Sequence, residues 1–364
     1  MSDKKLKVGI IGCGGIAGLH ANSYKQNPNT DLVAFCDIIP GRAQEFAIKK
    51  KLPDGRCYTD IKDMFANEQL DAVSVCTYNT THAECAIYAM EHGAHVLLEK
   101  PMSVTLDEGI AMMRAEKKTG KILSHGFQPR YAPLTKQLCE VVGSGRLGEV
   151  YYIQTGGGRR LGIPNSTFIE KRTAGIGALG DIGCYSIDLA LNPLKYPKPL
   201  TVTASKSDFF GKSLKYSAPE DAARFDVDDF ASAYVRFEGG LVMDFKIAWA
   251  MNMDTAGDML ILGKDAGIRI PSTECWNRGP GGQMTLYYLN KFNNEVNEIL
   301  PMPEPDFNFE DLFYFKVKAF VDAVLENGKA PIPSEQIIIN QAILDGIVKS
   351  AELGREIEIV IPEV

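Results

Sequence analysis

The segment that most constrains this chain is Gly12-Cys13-Gly14-Gly15-Ile16-Ala17, which directly follows the apolar run Val8–Ile11. The first glycine permits a tight turn, the second lets a ligand approach bare backbone, and a small sixth residue lets a helix pack close on a strand. Strand, glycine turn and helix in this order open a βαβ unit. Free N–H groups at the start of that helix suit an anion such as a pyrophosphate. Gly12, Gly14, Gly15 and Ile16 are therefore candidate cofactor-binding positions. Asp37 ends the next apolar run, 20 residues after Ala17. A carboxylate there accepts hydrogen bonds from ribose hydroxyls and repels a 2′-phosphate. Its alternative task is to cap the helix that follows Pro40. Turn and carboxylate together predict a dinucleotide cofactor, NAD rather than NADP, because Ile38 stands where an arginine would help to hold a phosphate. Arg42 either lies along the adenine or is an exposed helix residue.

Apolar patterning extends this opening. Strands over 6–11, 32–37, 71–77, 95–99 and 121–126 alternate with helices over 17–26, 42–51, 81–91 and 106–119. Such alternation predicts a doubly wound, parallel Rossmann sheet with all strand ends on one side. The pattern changes after about residue 126. A helix over 132–142 and a strand over 149–155 lead into a polar, glycine-rich loop, 156–177. A helix over 178–191 follows, closed by Asn192-Pro193. Long strands are expected over 200–209, 228–237 and 241–249, the last two joined by the hairpin signal Glu238-Gly239-Gly240. Shorter strands run to about residue 290, Pro301–Pro305 reads as a linker, and helices over 311–326 and 335–353 close the chain. With 364 residues, two domains are expected. They are an NAD-binding α/β domain over 1–126 and an α/β domain over 127–364 with a mostly antiparallel sheet. The closing helices have the option of packing back on the first domain.

Composition removes several function classes. The net charge of −7, from 39 basic and 46 acidic residues, argues against a nucleic-acid surface. The first apolar run is too short for a signal peptide, and no apolar segment reads as a membrane span. Eight cysteines are scattered without a C-x-x-C pair, so they read as small buried hydrophobes in a reducing, cytoplasmic setting. No ligand spacing such as H-E-x-x-H occurs, so no metal is expected. All five histidines, His20, His82, His92, His95 and His125, fall in the first third. Acid–base chemistry on later elements must therefore use another side chain or borrow one of these.

Lys100, in Glu99-Lys100-Pro101, ends the apolar run 95–98, and a lysine there points into the crevice where open α/β sheets bind ligands. Thr77, Asn79 and His82 follow another strand end and are expected over the cofactor. Thr80 or Thr81 is placed to cap the next helix, and His82 reads as a packing or capping residue rather than a catalyst. Gln128 and Arg130 follow the 121–126 strand and are expected to meet nicotinamide or substrate. Asp181, Tyr185 and Asp188 fall at i, i+4 and i+7 and share one helix face. The plain reading of that face is a carboxylate favouring the helix dipole and a half-buried ring. Arg159 and Arg160 either hold a carboxylate or phosphate or belong to a solvated loop. Trp249 and Trp276 either stack on a sugar or pack in a core or interface.

Several segments taken together resemble one family. They are VGIIGCGGIAGLH (8–20), Asp37 with Arg42-Ala43, VCTYNTTHAECAIYAMEHGAHVLLEKP (75–101), GFQPRY (126–131) and GALGDIGCYSIDL (177–189). In these the chain is similar to the Gfo/Idh/MocA oxidoreductases. The resemblance implies a second domain whose open sheet commonly mediates homo-oligomers. It implies substrates among sugars, inositols and related polyols. It also implies Lys100 at the reacting hydroxyl, Glu99 with it beside the cofactor, and Asp181 close by. The residue four after that aspartate, often histidine, is then the proton donor or acceptor; here it is Tyr185. The family's G-G-G-x-L-x-D run reads Gly175-Ile176-Gly177-Ala178-Leu179-Gly180-Asp181 in this chain. A phenol with a pKa of about 10 is a poor base near neutrality. A lysine ammonium and an oxidised nicotinamide both stabilise the phenolate. The expectation is an NAD-dependent oxidoreductase of a sugar, glycoside or polyol, with Lys100, Arg130, Arg159, Asp181 and Tyr185 around the substrate. The alternatives are a glycoside-cleaving relative that uses transient oxidation with tightly bound NAD, and a non-catalytic sugar sensor.

Overall fold

The computed structural model describes residues 5–303 and 308–364. In chain order the opening elements are β1 (Leu6–Ile11), α1 (Ala17–Gln26), β2 (Thr30–Cys36), α2 (Arg42–Lys49), β3 (Arg56–Tyr58), α3 (Ile61–Asn67), β4 (Ala72–Val75), α4 (His82–Glu91), β5 (His95–Leu98), α5 (Leu106–Thr119) and β6 (Leu123–His125). Then come α6 (Pro133–Gly143), β7 (Val150–Gly158), α7 (Lys171–Ala174), a π turn (Leu179–Gly183), α8 (Cys184–Leu191), β8 (Pro199–Ser207), α9 (Pro219–Arg224), β9 (Phe230–Phe237) and β10 (Val242–Ala248). The chain ends with β11 (Met259–Gly263), β12 (Ala266–Ile270), β13 (Thr285–Leu289), β14 (Glu295–Ile299), α10 (Phe309–Leu325), α11 (Ser334–Leu353) and β15 (Ile357–Glu358). The end of the expected linker at 301–305 lies outside the described residues.

Two compact units result. The first comprises Met1–Gln128, Phe307–Ile338 and Pro362–Val364. Its sheet runs β3-β2-β1-β4-β5-β6, and every pairing is parallel. The strand order reverses between β1 and β4, which is where such sheets bind ligands. The register aligns Ile11 with Cys36 on one side and Val75 on the other, Val75 with Leu98, and Leu98 with His125. Gly12, Asp37, Cys76, Glu99 and Gly126 are thereby the next residues along one sheet edge. Helix α10 buries Val317, Phe320, Val321 and Val324 against Val8, Tyr24, Ala72 and Leu97. Burying such aliphatic and aromatic groups stabilises by about 1.5–3 kcal/mol each. The elements β3 and α3 go beyond the sequence reading. A three-residue strand, Arg56-Cys57-Tyr58, carries too little periodicity to be read, and its pairing with Ala34–Cys36 creates it.

The second unit comprises Pro129–Asp306 and Ile339–Ile361. Its sheet runs β14-β13-β12-β11-β7-β10-β9-β8-β15. It is antiparallel except between β7 and β10. The hairpin of β9 and β10 turns through Gly239 and Gly240, both with positive φ, as the dipeptide predicts. Alternate residues of these strands, Ala231, Val235, Met243, Phe245 and Ile247, form the buried face.

Four readings need correction here. Strand β7 continues to Gly158 because glycine lets the neighbouring backbone come close: a Cβ on Gly156 would lie 2.0 Å from the Lys246 carbonyl oxygen. A further strand, β14, lies past residue 290. The helix expected over 178–191 is a π turn followed by α8. The helical stretch Lys171–Leu194 reaches the length and apolarity of a membrane span, yet 89% of its apolar window is buried in protein, as in a core helix. Among the described residues no disulfide joins the cysteines, and Cys13, Cys36, Cys76 and Cys184 are buried. No cluster of described His, Cys, Asp or Glu side chains is placed to hold a metal.

Candidate active site

The cofactor half of the site is built on the edge of the parallel sheet. Gly12 has φ +86, and a Cβ there would lie 2.5 Å from the Cys76 carbonyl oxygen. Only glycine therefore allows β1 to leave the sheet beside β4. A Cβ on Gly14 or Gly15 would meet nothing, so that stretch of backbone faces open space. Ile16 is the N-cap of α1, and no side chain caps the helix. Its first-turn N–H groups are the usual anion-binding donors. Asp37 is buried, and its two oxygens accept the N–H groups of Cys13 and Ile39, each at 2.9 Å. It thus ties the glycine turn to the end of β2 and does not cap α2, whose N-cap is Gly41. A carboxylate has about four acceptor positions, so two remain for hydroxyls. An Arg42 guanidinium nitrogen lies 4.0 Å from Asp37, and Ile38 is 69% exposed. Glycines, helix start and carboxylate are the parts a nicotinamide dinucleotide needs, and they fit one.

Asn79 opens a short 3₁₀ turn, Asn79–Thr81, before α4. Thr81 occupies the N-cap of α4 without a side-chain cap. Its hydroxyl donates instead to the Tyr78 carbonyl at 3.0 Å, so Thr81 stands at the cap position without making the side-chain cap. Thr77 is half-buried at the end of β4. His82 is buried, with Nδ1 2.8 Å from the Pro101 carbonyl oxygen. Burial holds its pKa below the ordinary value. It ties the start of α4 to the Lys100-Pro101 segment, whose peptide bond is cis. Lys100 is half-buried at the end of β5. Glu99 accepts from His20 Nε2 at 2.7 Å and from Lys316 Nζ at 2.5 Å, so this carboxylate is engaged within its own unit. Gln128, past β6, is buried.

In the second unit the π turn and α8 carry the other candidates. π turns are rare and occur frequently at functional sites. Asp228 sets this one: its Oδ1 accepts the Gly177 N–H and its Oδ2 the Leu179 N–H, each at 2.8 Å. The Ala178 N–H adds a bond to the Asp228 carbonyl. A Cβ on Gly177 would lie 1.9 Å from that carbonyl oxygen. Asp181 accepts from Trp249 Nε1 at 3.0 Å. Tyr185 has a buried ring. Asn340 of α11 donates to the Cys184 carbonyl at 2.9 Å, one residue before it. Asp188 is not an open member of that face. It is buried, takes a two-pronged pairing from Arg130 at 2.7–3.2 Å, and accepts from the Tyr196 hydroxyl. Arg130 also reaches that hydroxyl at 2.6 Å. The guanidinium read as a substrate contact is thus committed to a buried pair.

Arg159 is half-buried after β7, its carbonyl accepting the Met251 N–H; Arg160 is exposed. Trp249 and Trp276 are both fully buried, the latter donating Nε1–H to the Gly156 carbonyl at 2.5 Å. Both are core, not sugar platforms. Sequence reasoning missed His20, Lys316, Asp228 and Asn340. Lys316 had a signal: it falls on the stripe Leu312, Phe313, Val317, Phe320, Val321 of α10, a charge where helical periodicity demands an apolar residue. The Asp228-Asp229 pair at a strand start was a weaker one.

Comparison with known proteins agrees with both halves. Residues 6–127 match the model described as "Oxidoreductase family, NAD-binding Rossmann fold", named GFO_IDH_MocA. Residues 135–269 match the "GFO/IDH/MocA C-terminal domain". The chain is 29% identical over 365 aligned residues to the D-glucoside 3-dehydrogenase of Escherichia coli K12, covering 99% of each. Over 149 residues it is 32% identical to the myo-inositol 2-dehydrogenase of Thermotoga maritima, covering 41% of this chain and 44% of that one. Levoglucosan dehydrogenase in complex with NADH shares the fold, with a TM-score of 0.83 at 21% identity over 99% of this chain and 100% of that one. The chain belongs to the Gfo/Idh/MocA family of oxidoreductases with an NAD-binding Rossmann fold.

Proposed function

We propose that this protein is an NAD-dependent dehydrogenase or reductase acting on a hydroxyl or keto carbon of a sugar, glycoside or polyol. The observation that carries the reading is the alignment of the open glycine turn, Asp37 and the strand-end Lys100 along one sheet edge. The end-to-end likeness to a D-glucoside 3-dehydrogenase supports a glycoside or sugar substrate. Asp37 and the exposed Ile38 favour NAD over NADP. Gly14, Gly15, Ile16, Asp37, Thr77 and Asn79 would hold the dinucleotide, which when bound supplies the hydride acceptor.

In the oxidation direction Tyr185, as phenolate, takes the hydroxyl proton while the carbon loses its hydride. Lys100 stabilises that phenolate and the developing alkoxide. Asp181, held by Trp249, orients a neighbouring hydroxyl or Lys100. Replacing Tyr185 by Phe is expected to lower turnover by about 10²–10⁴-fold with the NADH dissociation constant unchanged; full turnover in that variant refutes the assignment. A panel of sugars, glycosides and inositols, read by reduced-nicotinamide absorbance with NAD and NADP in parallel, identifies the substrate. Sugar release without net reduction would instead identify a glycoside-cleaving enzyme. A homo-oligomer built on the open face of the nine-stranded sheet belongs to the same proposal, and a monomer by light scattering would remove it.

A further inference from the structure

Beneath the candidate lysine lies a closed network that hydride chemistry does not itself require. Lys316 is 1% exposed, although α10 could have carried an aliphatic residue there. A buried ammonium is costly unless fully paired. Its Nζ lies 2.5 Å from Glu99 Oε1 and 3.1 Å from His20 Nε2, over the Phe313 ring at 4.3 Å. His20 Nε2 lies 2.7 Å from the same Glu99 oxygen. Its Nδ1 is 2.9 Å from the Ser74 hydroxyl, which is 2.9 Å from the Tyr24 hydroxyl.

One proton arrangement accounts for the chain of hydrogen bonds and makes the Lys316–His20 approach a contact between two donors that share one Glu99 oxygen. Burial and the Lys316 charge keep His20 neutral at pH 7, so Nε2–H donates to Glu99 and Nδ1 accepts from Ser74, which accepts from Tyr24. The ends of β4 and β5 and the helices α1 and α10 meet in this chain. Gly126, at the end of β6, completes the seat: a Cβ there would lie 3.0 Å from the Glu99 Cα and carboxylate. Glu99 Oε2 is turned toward the Lys100 N–H at 3.4 Å.

We propose that Lys316 and His20 are positioning residues for Lys100: by clamping the Glu99 carboxylate they fix the backbone from which Lys100 projects and lock it to α1, the helix that follows the glycine turn. The inference rests on the reading that Lys100 acts at the reacting oxygen. A loosened clamp misplaces the ammonium by a fraction of its reach, and misplacements on the order of 1 Å cost about a hundredfold in rate.

The test compares three variants with wild type. Glu99→Gln combined with Lys316→Met removes both charges and leaves neither buried alone. Lys316→Arg keeps the charge but puts a planar fork where a point charge sits. Lys100→Ala reports on the underlying reading. Each is read by thermal midpoint, by NADH dissociation constant from fluorescence titration, and by kcat and KM separately. Expected are a kcat lower by about one hundredfold in the double variant and about tenfold in Lys316→Arg. KM and NADH affinity are expected to stay within about twofold in both. Wild-type kcat in Lys316→Arg, or in a folded double variant, overturns the proposal. So does a loss of kcat that only parallels loss of NADH binding and thermal midpoint. Full activity in Lys100→Ala overturns the reading of Lys100 instead, so the two failures are distinguishable.

Discussion

Each unit carries a buried ion cluster adjoining a candidate catalytic side chain, and the two clusters are built differently. In the first unit a single oxygen of Glu99, the neighbour of Lys100, is shared by an ammonium and a neutral imidazole. In the second, Asp188, three residues after Tyr185, is gripped by both prongs of Arg130 and by Tyr196. A guanidinium fork has fixed geometry and does not titrate, whereas a lysine–histidine–glutamate node contains a group that does. The first cluster couples elements that hold the cofactor loop and the lysine. The second ties Arg130, past β6, and Tyr196, past α8, to the helix that carries the phenol. In the first, two compact donors share one carboxylate oxygen; in the second, a directional fork spans both oxygens.

The largest effect is expected where that directional pair is broken. Asp188→Ala leaves the buried Arg130 uncompensated and should destabilise the protein by about 3–5 kcal/mol. The triple replacement Arg130→Met, Asp188→Leu and Tyr196→Phe, which leaves neither a lone charge nor an orphaned hydroxyl, should be within about 1–2 kcal/mol of wild type. Urea denaturation measures both. A mild single variant would mean that the cluster is not a desolvated pair at all and would erase the contrast.

Acid separates the clusters next. His20 has its pKa lowered to about 4 by burial and by Lys316, against an ordinary 6.5. Its contribution to stability is therefore present above pH 6.5 and is lost as pH falls toward 4, because the unfolded chain takes up the proton first. Burial works against Glu99, yet Lys316 and His20 hold its pKa well below the carboxylate range, which extends the loss to lower pH. Over the window from 6.5 to 4 the His20 term amounts to about 3 kcal/mol. Glu116, raised to about 7 by burial, runs the other way, so the slope is read as the difference between wild type and His20→Gln. In the second cluster burial raises the Tyr196 phenol despite Arg130, and that group's contribution to stability is lost as pH rises above about 10. Equal acid slopes in wild type and His20→Gln would show that the node is not neutral at the imidazole.

These clusters also mark what the sequence could and could not disclose. The glycine turn, Asp37 and Lys100 were legible because each sits at a fixed offset from an apolar strand, and strand ends align in a parallel sheet. Lys316 was visible only as a charge on an apolar stripe. Its partner lies 217 residues away, and no local period points to it. Asp188 was misread for the same reason: its helix spacing groups it with Asp181 and Tyr185, but Arg130, 58 residues earlier, takes it into the core. The π turn was illegible because it depends on Asp228, which accepts two N–H groups from a segment about fifty residues upstream.

That turn allows a third, smaller test, since it is held by neutral donors and not by an ion pair. Asp228→Asn can supply only one acceptor oxygen, so the Gly177 or the Leu179 N–H loses its partner. The cost is about 1–3 kcal/mol. If the turn positions Asp181 and Tyr185, kcat should fall more than stability alone explains, with NADH binding unchanged because its contacts are proposed in the other unit. Loss of NADH binding in step with kcat would assign Asp228 to general stability.

The smallest expected effect concerns the indole that holds Asp181. Trp249→Phe keeps an aromatic ring against Phe225, 6.3 Å away and nearly perpendicular, but deletes the Nε1–H that donates to the carboxylate. A hydrogen bond to a charged group contributes about 1.5–3 kcal/mol, and the smaller ring adds a modest packing loss. Asp181 is half-buried, so water can replace the lost donor and the net change should be about 1 kcal/mol. Because water restores the bond but not the direction, the carboxylate should swing while the fold persists. The expected signature is a drop of about tenfold in kcat/KM, with the NADH dissociation constant unchanged and the thermal midpoint lower by a few degrees. An unchanged kcat/KM would show that Asp181 needs no fixed orientation.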